Sequence, residues 1–131
     1  MVLLPQVNAA TTSATEVLAL INIERAERKL PRLTMDNKLT AAARSHAVDM
    51  SRRGYFSHTS LDGEGMSGRL RRAGASYTTA GENIAHGQTS AASVVKSWMN
   101  SPGHRRNILN PKYSKVGNAR FDNYWVQDFS N

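Results

Sequence analysis

Apolar positions along this chain recur with two periods, and the switches between them mark out its elements. From Ser13 to about Lys29, Ala14, Val17, Leu18 and Ile21 fall on one helical face. Ser13 and Glu16 have capping-box spacing, which predicts the start of that helix, and Pro31 cannot continue it. In "DNKLTAAARSHAVDMSRRG", Leu39, Ala43, His46 and Met50 share the inner face of a second helix. Asp36 predicts its cap and Gly54 its stop. "YFSHTSLDGEGMSG" has no period and reads as a Ser- and Gly-rich loop, with Tyr55 and Phe56 as its expected anchors in the core. A short basic helix over "SGRLRRAG" ends at Gly74, and "TAGENIA" has strand length. Ser90 predicts a cap for "AASVVKSWMN", whose stripe is Val94, Val95 and Trp98. Ser101 and Pro102 predict a helical restart in "SPGHRRNIL". Period two then takes over in "KVGNARF", a two-residue turn at Asp122–Asn123, and "YWVQDF". Trp125 and Phe129 fall on one face of that last strand and Val126 on the other. Helices interleaved with strands, closing on a hairpin, predict an α+β fold: an α-β-α sandwich with a central antiparallel sheet between helical layers.

Composition narrows the class. A chain of 131 residues has the length of one domain, with 40% apolar and 21% charged residues. Residues 1–12 are expected to be a flexible lead-in, in which "VNAA" resembles a small-residue cleavage site, and residues 13–131 a single domain. No apolar run is long enough to span a bilayer, so a transmembrane protein is not expected. The chain has no cysteine, which excludes disulfides and thiolate metal ligands. The net charge of +7, with arginines clustered at 52–53, 69–72 and 105–106, reads first as a solvated basic surface, and as the sharper alternative as non-specific affinity for an anionic partner such as wall polymer or lipid. No motif for specific nucleic-acid binding accompanies that charge. A monomer is expected.

Four histidines carry the candidate chemistry. His46 lies on an apolar helix face and reads as a core histidine. His86 flanks a strand end beside Gly87. His58 sits on the loop after Tyr55 and Phe56, a better place for function than a helix face. His104 is the third residue of a Pro-started helix, whose positive end disfavours imidazolium and so favours the neutral, metal-binding ring. Glu82 is a carboxylate inside an otherwise small or apolar strand. No spacing among these residues matches a known zinc motif, nucleophile elbow or phosphate loop.

Taken together, "LINIERAERKLPRLTMDNKLTAAARSHAVDM", "YFSHTSLDG", "GENIAHGQ", "VVKSWMNSPGHRRNIL" and "YWVQDF" resemble the CAP superfamily, the cysteine-rich secretory, antigen 5 and pathogenesis-related 1 proteins. The resemblance is strongest to its small cysteine-free bacterial branch, the YkwD-like proteins, and runs from about Leu18 to Phe129. It implies an α-β-α sandwich with a cleft of two histidines and two acids. By motif these are His58, His104 and Glu82, with Asn83 and Ser101 as supporting residues. Where other members carry the second acid, "SWMNSPGH" has Asn100 or Ser101 and no carboxylate. Such a site fits a divalent metal ion, Zn²⁺ among them, with Glu82 as ligand, as a group orienting a histidine, or as candidate catalytic residue. A buried polar network that only specifies the fold is the alternative. The resemblance implies a secreted protein, extracellular or periplasmic. Its role is a metal-competent binding module, a metal-dependent hydrolase of peptide or cell-wall polymer, or a lipid or sterol carrier.

Overall fold

The computed structural model describes residues 9–131. Five helices and four strands follow in the order α1 (Ala9–Glu27), β1 (Thr34–Met35), α2 (Asn37–Arg53), α3 (Met66–Arg72), β2 (Ala80–His86), α4 (Ala91–Met99), α5 (Pro102–Ile108), β3 (Lys115–Phe121) and β4 (Tyr124–Ser130). The first helix begins at Ala9, four residues before the expected cap. Ser13 is a buried residue inside it, and its hydroxyl accepts a hydrogen bond from Arg120 at 2.9 Å. The spacing of Ser13 and Glu16 is thus coincidental. The rest of the expected lead-in, residues 1–8, lies outside the described residues.

Local chemistry sets the other boundaries. Asp36 caps α2 by accepting from the Lys38 and Leu39 amides, and Gly54 ends it in the left-handed region at φ 69°. Ser90 caps α4 through the Ser93 amide. The β3–β4 hairpin turns on Asp122 and Asn123, both at positive φ (49° and 58°), as a right-twisted two-residue turn requires.

The sheet order is β1-β3-β4-β2. Strands β3, β4 and β2 are antiparallel, while two-residue β1 pairs in parallel with the start of β3, so the sheet is mixed rather than purely antiparallel. One face carries Val116, Trp125, Phe129 and Ala85 against Val17 and Ile21 of α1, Trp98 of α4 and Ile108 of α5. The other carries Ile84, Ala119 and Val126 against Ala43, Ala47 and Met50 of α2. The layering expected from Trp125, Phe129 and Val126 is the one found. Gly117 permits the close approach of α2: a Cβ there would overlap the Leu39 carbonyl carbon and the Thr40 nitrogen.

Behind the sheet, Arg25 is fully buried and, among the described residues, paired to no carboxylate. Its guanidinium donates to the carbonyls of Pro31 (2.7 Å), Ile108 (2.9 Å), Asn110 (3.0 Å) and Tyr113 (3.3 Å). It ties the end of α1 to the connection between α5 and β3.

Candidate functional site

Strand alternation decides what Glu82 meets. Glu82 and Ile84 point to the α2 face, and Asn83 and Ala85 to the α1 and α4 face. Adjacent residues therefore serve different layers. Asn83 is fully buried. Its amide donates to Gln127 Oε1 (3.1 Å) and to the His104 carbonyl (3.2 Å), and it accepts from Asn107 Nδ2 (2.9 Å). It fixes the backbone of α5 against β2 just where His104 begins its side chain.

Glu82 is equally committed. Its Oε1 and Oε2 each take a hydrogen bond from Arg69 Nη2 at 2.8 Å, and Oε1 also lies 2.9 Å from His58 Nδ1. Arg69 stands on α3, and its side chain and that of Glu82 are each only 2% exposed. Such a buried pair is held by geometry on both sides, because a lone charge there would be costly. The His58 side chain is 56% exposed, so the pair reaches the surface through one imidazole.

Asp128 completes the cluster. It stands directly across from Glu82 in the β2–β4 register and is fully buried. Among the described residues neither of its oxygens meets a donor. Burial pushes its carboxyl well above the usual range, and the neighbouring Glu82 charge adds to that. In its protonated form it donates to Glu82. Burial would raise Glu82 also, but the hydrogen bonds from His58 and Asp128 and the charge of Arg69 outweigh it and hold Glu82 well below the carboxylate range. One carboxyl of the pair is thus neutral and the other ionised, as two carboxyls sharing a site require.

The loop that bears His58 is pinned from beneath. His46 is 1% exposed, and its Nε2 lies 2.7 Å from the Ser57 carbonyl, to which it donates. Burial first, and Arg69 next, lower its pKa, which suits a neutral ring. Tyr55 anchors the loop as expected, packing under the sheet and donating its hydroxyl to Asp49. Phe56 does not: it is 51% exposed, with its ring beside that of His86, which stacks on Tyr124 at 3.8 Å.

His104 projects from the first turn of α5. Its Nδ1 lies 2.8 Å from Ser101 Oγ, so the Ser101 side chain engages the ring instead of capping the helix backbone. Its pKa is lowered by burial first and by the charge of His58 second. The lowering expected from the helix start is present in direction, with burial and the second imidazole as its causes. With Nδ1 engaged in both rings, His58 and His104 each keep Nε2 open. Among the described residues no three His, Asp or Glu side chains are grouped to hold a metal ion. Glu82, fully occupied by Arg69 and His58, orients one of the two imidazoles.

Two residues of this site escaped sequence reasoning. Asp128 was legible, since alternation in "YWVQDF" puts it on the face of Val126, inside a buried strand. Arg69 was not, because nothing distinguishes it from Arg71 and Arg72 except which way the short helix turns.

The fold is that of a known group, and the CAP family, described as the cysteine-rich secretory protein family, matches residues 18–129. The chain belongs to this family. It is 41% identical over 116 residues to the uncharacterized protein YkwD of Bacillus subtilis (strain 168), covering 87% of this chain and 45% of that one. A crystal structure of an extracellular protein containing an SCP domain, from Bacillus anthracis str. Ames, superposes with a TM-score of 0.91 at 29% identity, over 98% of this chain and 45% of that one. An outer surface protein from Borrelia burgdorferi shares the fold with a TM-score of 0.86 at 23% identity, each chain covered to 97%. This chain spans less than half the length of either Bacillus protein. No helix among the described residues is long and apolar enough to cross a membrane.

Proposed function

We propose that this domain is a secreted binding module, acting at or beyond the bacterial cell surface, whose cleft captures a divalent transition ion between His58 and His104. The observation that carries the reading is the paired engagement of Nδ1: Glu82 Oε1 at 2.9 Å from His58 and Ser101 Oγ at 2.8 Å from His104. A partner on one ring nitrogen fixes tautomer and ring orientation and raises the basicity of the other. Burial of His104 keeps that ring towards its neutral, ligating form. A bound ion would supply positive charge and Lewis acidity to whatever completes its coordination. With two donors from the chain, the remaining positions fall to water or to a group of the partner, which suits capture rather than storage. The extracellular placement is supported by the relatives, one an extracellular protein and one an outer surface protein.

Calorimetric titration of zinc at pH 7.5 tests the proposal. His58→Ala and His104→Ala should each abolish tight binding, and Glu82→Gln should weaken it about 10- to 100-fold. Affinity should fall as pH drops through about 6.5, where unperturbed histidine takes up its proton. Wild-type binding no tighter than that of the double alanine variant would end the reading.

Hydrolysis of peptide or wall polymer is the second reading, favoured by the Glu82–His58 pair. A buried carboxylate at Nδ1 leaves His58 Nε2 as a general base at the surface. It requires turnover that disappears in Glu82→Ala and His58→Ala. Saturable binding without turnover supports the module instead.

A further inference from the structure

The strand position beside β3 is only partly filled. β1 pairs with Lys115 and Val116 and then ends, whereas β3 continues to Phe121. Helices α1 and α2 overhang that edge from opposite faces of the sheet. Between them lies a slot of about 320 Å³ whose floor is Asn118, Ala119 and Arg120.

The backbone of that floor is unpaired on the outer side. Two observations give the same parity. Phe121 and Tyr124 flank the two-residue turn, so odd-numbered residues of β3 direct their N–H and C=O to β4. The Ser114 and Val116 carbonyls accept from the Thr34 and Asp36 amides, so even-numbered residues point outward. The next two even positions are Asn118 and Arg120. Among the described residues no backbone group pairs with them on that side. An edge with free donors and acceptors is a template for another strand.

The walls differ. The α1 side presents Ala14 and Leu18, and the α2 side presents Thr40 and Arg44. Among the described residues no carboxylate lines the slot. The Arg120 guanidinium is already held by Ser13, Thr89 and Asn123. Arg44 is exposed and, among the described residues, enters no ion pair or hydrogen bond. Successive side chains of a strand laid in the slot would point alternately to an apolar wall and to a cationic one.

We propose that this slot binds an extended peptide of a partner protein as an added strand on β3, with apolar side chains towards α1 alternating with acidic ones towards α2. The site is separate from the histidine cleft and needs no metal, so its test is run with chelator present.

The probe is a capped hexapeptide of alternating valine and glutamate, compared with its valine–lysine counterpart. Amide exchange is followed residue by residue by NMR. In the free protein the Asn118 and Arg120 amides should exchange faster than those of Gly117 and Ala119. The saturating glutamate peptide should slow them at least tenfold, and the lysine peptide should not. Arg44→Glu should weaken the glutamate peptide at least tenfold and shift the preference towards lysine. Amides of Asn118 and Arg120 unchanged by the peptide would overturn the proposal, as would equal affinity for both peptides. Slow exchange in the free protein that becomes fast on deleting residues 1–8 would also overturn it, since the occupant would then be this chain's own start.

Discussion

Glu82 and Asp128 face each other across β2 and β4, two carboxyls with a single donor-rich side between them, and Arg69 is on it. The charge of Arg69 is spent on Glu82, which leaves Asp128 to satisfy itself as an acid. Stability should report this division with opposite slopes in pH. Glu82, whose folded-state pKa is depressed, contributes stability above its unfolded value near 4.5 that is lost as pH falls through its folded value. Asp128, whose folded-state pKa is raised, binds its proton more tightly folded than unfolded, so it destabilises progressively as pH rises above 3.8. Asp128→Asn keeps the shape and a donor for Glu82 while removing that titration. Its thermal midpoint relative to wild type should therefore rise between pH 4 and pH 8. A difference that stays flat over that range would mean that Asp128 is ionised in the folded protein.

Arg69 and Glu82 should behave as a unit. Arg69→Met strands a buried carboxylate and should cost about 3–5 kcal/mol in urea unfolding. Adding Glu82→Met to it should recover part of that loss, since the second change removes the stranded charge. Additive losses in the double variant would show that the two side chains do not depend on each other.

Gly117 is a packing requirement. Its missing Cβ makes room for the α2 backbone at Leu39 and Thr40, which cannot move aside as a flexible side chain would. Gly117→Ala should destabilise by about 1–3 kcal/mol or more. The change should appear in the denaturant midpoint and leave the far-ultraviolet circular dichroism of the folded state unaltered.

Trp125 is 1% exposed, donates to the Gln88 carbonyl at 2.9 Å and lies under the Arg120 guanidinium. Trp125→Ala should cost about 3–5 kcal/mol. An unchanged unfolding midpoint would place the hairpin outside the cooperative core.

Most of the fold was legible because its signals are local. Asp36, Gly54, Ser90 and the Asp122–Asn123 turn each act on neighbouring backbone, and the sequence states them directly. Ser13 misled because a capping hydroxyl and a buried hydroxyl look alike until Arg120, 107 positions away, is brought to it. The site was legible in its histidines and in Glu82, which occupy recognisable motifs. Its charge balance was not. Whether Glu82 is a free ligand or a committed one depends on Arg69 and Asp128, which reach it only through the packing of α3 and the register of β4. His46 shows the same limit: its burial followed from periodicity, while its grip on the Ser57 carbonyl depends on where the loop returns.

The buried guanidinium of Arg25 has a consequence for motion. Four carbonyls, one from the α1–β1 connection and three from the end of α5 and the α5–β3 connection, share one side chain of α1, so neither segment can open without stripping bonds from the other. That end of the molecule breathes as one block or not at all. Lysine could not replace it, having three donors on one atom where the arginine reaches three directions. The bonds of Arg25 reach α5, which carries His104, and not the loop of His58, so of the two histidines it is His104 whose helix this block holds.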